Sequence, residues 1–398
     1  MDSADIVKGL KEGKIKFREV ETYTCGDSRK ATDIRRKAVE ENHDTDLSNV
    51  GNYTIDAAAA MQKNIENLIG CIQLPLGVAG PVKIKGDFAK GEFPIPLATT
   101  EGALVASVNR GCSIIGKSGG AKATVLKDFM TRAPVFRAKT AREALKFIEY
   151  VEQNRSKLKE LCESTTKHGE FVEVKPYLVG RTVFLRFSFD TKDAMGMNMV
   201  TIAASKACEW LDGNHAEYIA ASGNVCTDKK PNAMNIIEGR GKCVVAEVTI
   251  PKKVLEQHDM DAKKASETCL RKNWYGSGMA ASYGFNAHFA NIIAAFYLAT
   301  GQDAAHVVEG SHGFTNAEQD GEDLYVSVTV PNIQVGTVGG GTRVATQKEC
   351  LELLKCTGKG GAKKLSEIIA CAVLAGEISL LFAHTKKELA SAHQQLGR

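Results

Sequence analysis

Apolar positions along this chain change their spacing several times, and each change predicts an element. From residue 1 to 70 they recur with helical spacing, broken by basic clusters at Ser28-Arg29-Lys30 and Arg35-Arg36-Lys37, with an alanine run from Ala57 to Ala60. The segment from Asn64 ends at Gly70, which reads as a helix stop. The turn-rich Pro75-Leu76-Gly77-Val78-Ala79-Gly80-Pro81 then leads into an alternating strand, Val82 to Lys85. A helical pattern starts at Glu101, behind Thr99 and Thr100 as caps, and runs to about Arg110 with Ala103, Leu104, Ser107 and Val108 on one face. A second helical pattern covers 140 to about 163. Phe171 to Tyr177 and Val183 to Phe189 alternate as strands, and Leu178 to Thr182 between them is too short for a parallel crossover, which needs about a dozen residues. The pair must be antiparallel.

A helix from about Met195 to Trp210 and a last strand near Glu217 complete a small unit of helix, strand, strand, helix and strand. It resembles a ferredoxin-like sheet and not a doubly wound dinucleotide domain. Asn286 to Thr300 is apolar nearly all round, which predicts a helix buried at the centre of a larger domain and stopped by Gly301. Leu324 to Val330 reads as a strand, Gly336 to Thr342 as a loop, Leu365 to Phe382 as a long helix and Lys386 to Arg398 as a polar tail. The expected fold is α+β, with a large mixed domain around a buried central helix and an inserted ferredoxin-like domain. The expected divisions are 1–85 (helical), 86–133 with 221–376 (large domain), 134–220 (small domain) and 377–398 (terminal helix and tail).

With 398 residues, 43% of them apolar and 25% charged, the chain has the composition of a globular protein of two or three domains. Its formal charge of +4 is too small to argue for nucleic acid, although it would help attract an anionic phosphate ligand. The eleven cysteines contain no C-x-x-C pair and follow neither a zinc nor a disulfide spacing, so they read as free thiols, with no metal site, in a reducing cytoplasm. Met1 to Lys16 lacks an apolar signal core, and neither export nor a membrane span is expected.

Three segments carry candidate chemistry. Asp228-Lys229-Lys230-Pro231 places an acid beside two lysines and stops the backbone with a proline; alone, such a triplet most often marks a solvated turn. Glu101 follows two threonines, and by itself reads as a helix N-terminal acid. Asp303 lies just past the Gly301 stop. A fourth segment, Gly111-Cys112-Ser113-Ile114-Ile115-Gly116-Lys117-Ser118, fits the phosphate-cradling pattern of nucleotide hydrolases. That motif needs a buried strand before the first glycine and a helix after the lysine. The pattern before Gly111 is helical, and Gly119-Gly120 interrupts the helix that should start at Lys117, which argues against it.

The segments around Glu101, Asp228 to Lys230 and Asp303 resemble, in order, those of the 3-hydroxy-3-methylglutaryl-coenzyme A (HMG-CoA) reductase family, in the class shared by eukaryotes and archaea. The similarity extends through Glu66-Asn67-Leu68-Ile69-Gly70, Asp193 to Met199 and Gly336 to Thr342, and so over nearly the whole chain. It implies reduction of HMG-CoA to mevalonate and CoA with two NADPH, in isoprenoid biosynthesis. It also implies that Lys229 stabilises the oxyanions, that Glu101 moves protons, that Asp303 tunes both, and that His393 on a C-terminal segment protonates the departing thiolate. Ser107, Arg132, Ser222, Asp228, Lys230, Lys272, His288 and Asn291 match positions that hold the hydroxymethylglutaryl group or support the acids, with His288 and Asn291 on one helix face. Ser113 stands where eukaryotic members carry a second arginine.

For the nucleotide the resemblance implies Asp193, Met195, Gly196, Met197 and Asn198, at a helix opening that can face a pyrophosphate, and Gly339 and Gly340 where backbone meets the nicotinamide half. Thr166 and Lys167 align with contacts to the 2'-phosphate, with lysine for the usual arginine, which keeps the charge and loses the bidentate fork. The Glu66 to Gly70 match implies a homodimer or homotetramer with the site at a subunit interface. No serine follows His393 before Arg398, so phosphorylation control is not expected at that place. Beside the reductase stand two other functions: the nucleotide hydrolase of Gly111 to Ser118, and a non-catalytic CoA-binding protein.

Overall fold

The computed structural model describes residues 1–386, in which eleven strands make one mostly antiparallel sheet. They are β1 (Leu76–Gly86), β2 (Lys90–Ala98), β3 (Ala121–Arg132), β4 (Val135–Ala138), β5 (Glu170–Val179), β6 (Thr182–Asp190), β7 (Ala216–Ala220), β8 (Gly241–Ile250), β9 (Gly284–Phe285), β10 (Gly313–Asp320) and β11 (Asp323–Ile333). Strand β3 joins two halves of this sheet. From Lys122 to Phe129 it pairs antiparallel with β8, through a register shift at Val125/Lys127, and from Met130 to Arg132 it pairs with β6. Such a shift bends and twists a strand; here it delivers Arg132 to the junction.

Beyond that junction the order β7-β4-β6-β5 is antiparallel throughout. Helices Ala141–Gln153, Arg155–Glu163 and Met197–Leu211 pack with it around a core of its own that includes Phe136, Phe147, Phe187 and Leu211. The β5–β6 pair is antiparallel, as its short connection requires. The other half has a larger core that includes residues of β1, β2, β3, β8, β10 and β11 and of the helices Leu104–Lys117, Ala262–Cys269, Phe289–Thr300 and Gly361–Lys386. The N-terminal helices bury a third, small cluster from Ile6 to Ala38.

Several expectations shift. Gly361–Lys386, and not Phe289–Thr300, is the central helix; the latter packs against it and against β2. By length and composition the 26-residue helix could cross a bilayer, contrary to the sequence expectation, yet it is buried inside the fold. It also carries Glu367, whose carboxylate accepts the amides of Asp87, Phe88 and Ala89, a set of contacts that suits a protein core. The division expected at 377 therefore falls inside one helix, and that at 85 falls near the end of β1. The helix expected to stop at Gly70 ends at Lys63; Gly70 lies instead where a Cβ would sit 2.1 Å from the Val50 carbonyl oxygen.

Gly111 to Lys117 forms the middle and end of the helix Leu104–Lys117, whose amides are spent on its own turns, so the segment offers no phosphate cradle. Gly111 is needed for packing: a Cβ there would lie 1.8 Å from the Ala375 carbonyl oxygen of the central helix. Gly111→Ala must force the two helices apart and is expected to destabilise the protein by about 2 kcal/mol or more. Chemical denaturation checks this, and a midpoint equal to the parent's would refute the close approach.

Candidate active site

The Thr227-to-Pro231 loop connects the two halves of the sheet, and its backbone is unusual. Thr227 and Lys229 have φ of 54° and 57°, a left-handed conformation that side chains other than glycine rarely adopt. Local bonds hold it: the Lys229 amide donates to Glu309 Oε1 at 2.7 Å, the Thr227 hydroxyl donates to the Asn235 side-chain oxygen, and the Asn235 amide donates to Asn232 Oδ1 at 2.7 Å. The loop aims Lys229 Nζ at Asp303 Oδ2, 2.7 Å away.

Asp303 is positioned by the end of the apolar helix. Gly301 turns the chain, and Asp303 caps the short turn Ala304–His306, accepting the Ala305 amide at 3.0 Å. Its hydrogen bond raises the Lys229 ammonium above the ordinary lysine value against the effect of burial, with Asp228 and Glu309 adding to the attraction. Burial alone would raise Asp303, but Lys229, the Ala305 amide and His306 bring it below the usual carboxylate value. Glu101 is not among the charges acting on Lys229; its carboxylate accepts from Asn291 Nδ2 at 3.1 Å. Nor does Glu101 start a helix. Its amide donates to Thr99 Oγ1, and the helix begins at Leu104 behind Ala103, φ 70°.

Behind Lys229 lies a network that sequence reasoning missed. The buried Arg240 guanidinium bonds Asp228 Oδ1 at 2.8 Å and Glu309 Oε1 at 3.0 Å, and the buried His306 ring lies between Asp228, Asp303 and Glu309. The available signals were Arg240 in the glycine-flanked basic segment, and His306 and Glu309 three and six residues beyond Asp303. Arg132 Nη1 stands 4.0 Å from Asp228 Oδ2, the Lys230 ammonium donates to the Asp228 carbonyl, and Ser222 Oγ contacts Cys226 Sγ at 3.4 Å. Burial opposes ionisation of that thiol, but Ser222, backbone amides and Arg132 outweigh it and lower the Cys226 value.

Lys272, His288 and Asn291 line one cavity of about 690 Å³ together with Pro231, Asn286 and His312. Lys272 projects from a π-helical turn, Leu270–Gly276, a distortion often found at functional sites. Burial lowers its amine below the ordinary lysine value, with Glu377 acting in the other direction. His288 does not share a helix face with Asn291, because it precedes the helix as its cap (φ −158°, ψ 39°), and its neighbouring acid is Glu377, which accepts its amide at 2.8 Å. Ser107 Oγ donates to Ser379 Oγ at 3.0 Å.

The two segments expected to hold the nucleotide meet. The Thr337 amide donates to the Asp193 carbonyl, Ala194 pairs with Val338, and the Gly336 amide donates to Gln302 Oε1 beside Asp303. The Asp193 carboxylate is not free to face a ligand, since it accepts the amides of Gly360 and Ala362 at the start of the central helix. Met195 and Met197 pack against the small core, and Met197 Sδ also contacts Arg240. Gly196 caps the helix Met197–Leu211, Asn198 is exposed on its first turn, and the space beside Gly339 and Gly340 is open. The Thr166 hydroxyl accepts the amides of His168 and Gly169, while Lys167 is exposed. His393 lies outside the described residues.

Residues 31–398 match the family model described as hydroxymethylglutaryl-coenzyme A reductase. The chain is 52% identical to the 3-hydroxy-3-methylglutaryl-coenzyme A reductase of Pyrococcus abyssi over the full length of both chains. It is 52% identical to that of Methanocaldococcus jannaschii over 99% of each. With the maize reductase it shares 41% identity over 100% of this chain and 70% of the other. Among solved structures, the NADPH-bound class II reductase of Streptococcus pneumoniae has a TM-score of 0.69 at 20% identity, over 96% of this chain and 97% of that one, which shows a shared fold. An ordered set of motifs, a lysine and an acid locked together at a sheet junction, and full-length identity to archaeal reductases lead to one conclusion: this chain belongs to the hydroxymethylglutaryl-coenzyme A reductase family.

Proposed function

We propose that this protein reduces the thioester of HMG-CoA to mevalonate, consuming two NADPH and two protons and releasing two NADP and free CoA, by way of a bound hemithioacetal and mevaldehyde. The observation that carries the reading is the Lys229 ammonium, held charged 2.7 Å from Asp303 on a loop whose next residues lead to the cavity lined by Pro231, Lys272, His288 and Asn291. Reduction puts negative charge on the carbonyl oxygen, first of the thioester and then of the aldehyde. A fixed cation that needs no reorganisation stabilises both. Asp303 holds Lys229 in place, and Glu101, one hydrogen bond from cavity-lining Asn291, delivers protons. Lys272 and Arg132 offer positive charge to the substrate's free carboxylate, with Ser107, Ser222, Asp228, Lys230 and His288 framing the pocket. His393 protonates the leaving thiolate.

NADPH supplies the hydride. The fit is supported by the joined segments around Asp193 and Gly336, by the first turn of the helix after Gly196 and by the open space at Gly339 and Gly340. We take 134–220 as the ferredoxin-like nucleotide domain inserted in the large domain of 86–133 and 221–376, between the N-terminal region 1–85 and the terminal 377–398, with Thr166 and Lys167 at the 2'-phosphate. A homodimer or homotetramer with the site at its interface would cover Ile72, 86% exposed, and Val78, which shares a second cavity with Glu101. Eleven free cysteines agree with a reducing, cytoplasmic setting.

Absorbance of NADPH, followed with HMG-CoA, with NADH in its place and with ATP alone, tests the reading. The expected result is two NADPH oxidised for each CoA released, with NADH slower. HMG-CoA binding without oxidation of either nucleotide would overturn it in favour of a non-catalytic protein.

A further inference from the structure

Nothing in the proposed chemistry uses His306 or Glu309, yet both are fully buried against the groups that hold Lys229. His306 Nε2 lies 3.8 Å from Asp303 Oδ2 and 3.9 Å from Asp228 Oδ1, and its Nδ1 lies 3.5 Å from Glu309 Oε1; neither nitrogen has a hydrogen-bond partner among the described residues. Carboxylates only accept, so each ring nitrogen faces an acceptor. Asp228, Asp303 and Glu309 contribute minus three against plus two from Lys229 and Arg240, which bond them within 3.0 Å, and His306 is the group set between all three carboxylates. Arg132 is a further cation at the rim, 4.0 Å from Asp228, but its side chain is partly exposed and screened by solvent, whereas His306 and Arg240 are fully buried. The remaining titratable neighbours of Glu309 are the buried Tyr297 and His312. Asp228, His306 and Glu309 also have the spacing of a metal site, but Arg240 bonds both carboxylates and takes the cation's place.

We propose that His306 and Glu309 are a charge-matched pair of positioning residues that sets the field at Lys229. Glu309 anchors the strained Lys229 backbone and Arg240, and His306 offsets the extra carboxylate and keeps Asp303 ionised on Lys229. The inference rests on the reductase reading, so turnover by the parent protein is measured first; its absence defeats that reading, and the variants are then informative only about stability. Given turnover, the test is a cycle of His306→Gln, Glu309→Gln and the double variant, in which the glutamine introduced by Glu309→Gln keeps an oxygen to accept from Lys229 and Arg240. His306→Gln is expected to lower kcat on the order of tenfold, leave KM for HMG-CoA within about twofold, and move the acid limb of the kcat profile to higher pH, because Asp303 loses a neighbouring cation. Glu309→Gln should move that limb the other way, and the double variant should return both kcat and limb toward the parent's. Unfolding midpoints are measured alongside. If His306→Gln alone fails to fold and the double variant folds, charge matching stands. An unmoved pH profile in His306→Gln, a double variant as impaired as that single one, or a double variant that does not fold would each overturn the proposal.

Discussion

Lys229→Ala is expected to lower kcat by about a thousandfold while the protein stays folded, the scale on which removal of a preorganised oxyanion donor acts. The side chain is 42% exposed and touches Asp303 at its tip, so its removal opens no core cavity. The loop is held instead through the Lys229 amide on Glu309, which alanine retains. The measurement pairs initial rates of NADPH oxidation with thermal unfolding; a folded variant within tenfold of the parent would remove Lys229 from the mechanism. The pH dependence has a definite sign. Asp303 has its pKa lowered from 3.8, so its contribution is lost as pH falls through that depressed value; Lys229 has its pKa raised from 10.5, so its contribution is lost as pH rises through that elevated one. The pair is therefore intact throughout the neutral range, and any change in rate between pH 6 and 9, a span chosen around neutrality and roughly that of histidine and thiol titration, must come from other groups.

Glu377→Leu is expected to cost about 3–6 kcal/mol, a large part of the stability of an ordinary domain. Glu377 is buried on the central helix, where its carboxylate accepts the amides of Ala287 and His288 at 2.8 Å each and the Thr315 hydroxyl at 2.6 Å. Leucine fills similar space but leaves buried donors without partners. Glu377→Gln, which keeps one acceptor oxygen, should cost less. The lost anchor also frees Ala287 and His288, which line the cavity, so any folded fraction should show a raised KM for HMG-CoA. Denaturant unfolding gives the stability change, and a loss below about 1 kcal/mol would mean that the donors find other partners.

Elements whose evidence is local were readable from sequence. The short Leu178-to-Thr182 connection requires an antiparallel pair, and the apolar Asn286 to Thr300 stretch requires burial; the structure has β5 with β6 and the helix Phe289–Thr300 there. Boundaries were less legible, because a cap depends on backbone angles that neighbours impose. Glu101 looks like a helix start, but Ala103 adopts a left-handed conformation and the helix begins after it. His288 looks three residues along a helix face from Asn291, but Glu377 holds its amide and keeps it outside the first turn.

The sequence by itself determined the reductase family and the residue types a thioester reduction needs, since ordered motifs survive without knowledge of contacts. Tertiary structure alone decided which charges meet: Arg240 between Asp228 and Glu309, Asp303 on Lys229, Asp193 on the start of the central helix and Glu101 on Asn291. Coulomb and hydrogen-bond energies depend on distances of a few ångströms between groups far apart in the chain, and residue spacing along a sequence carries no such distances.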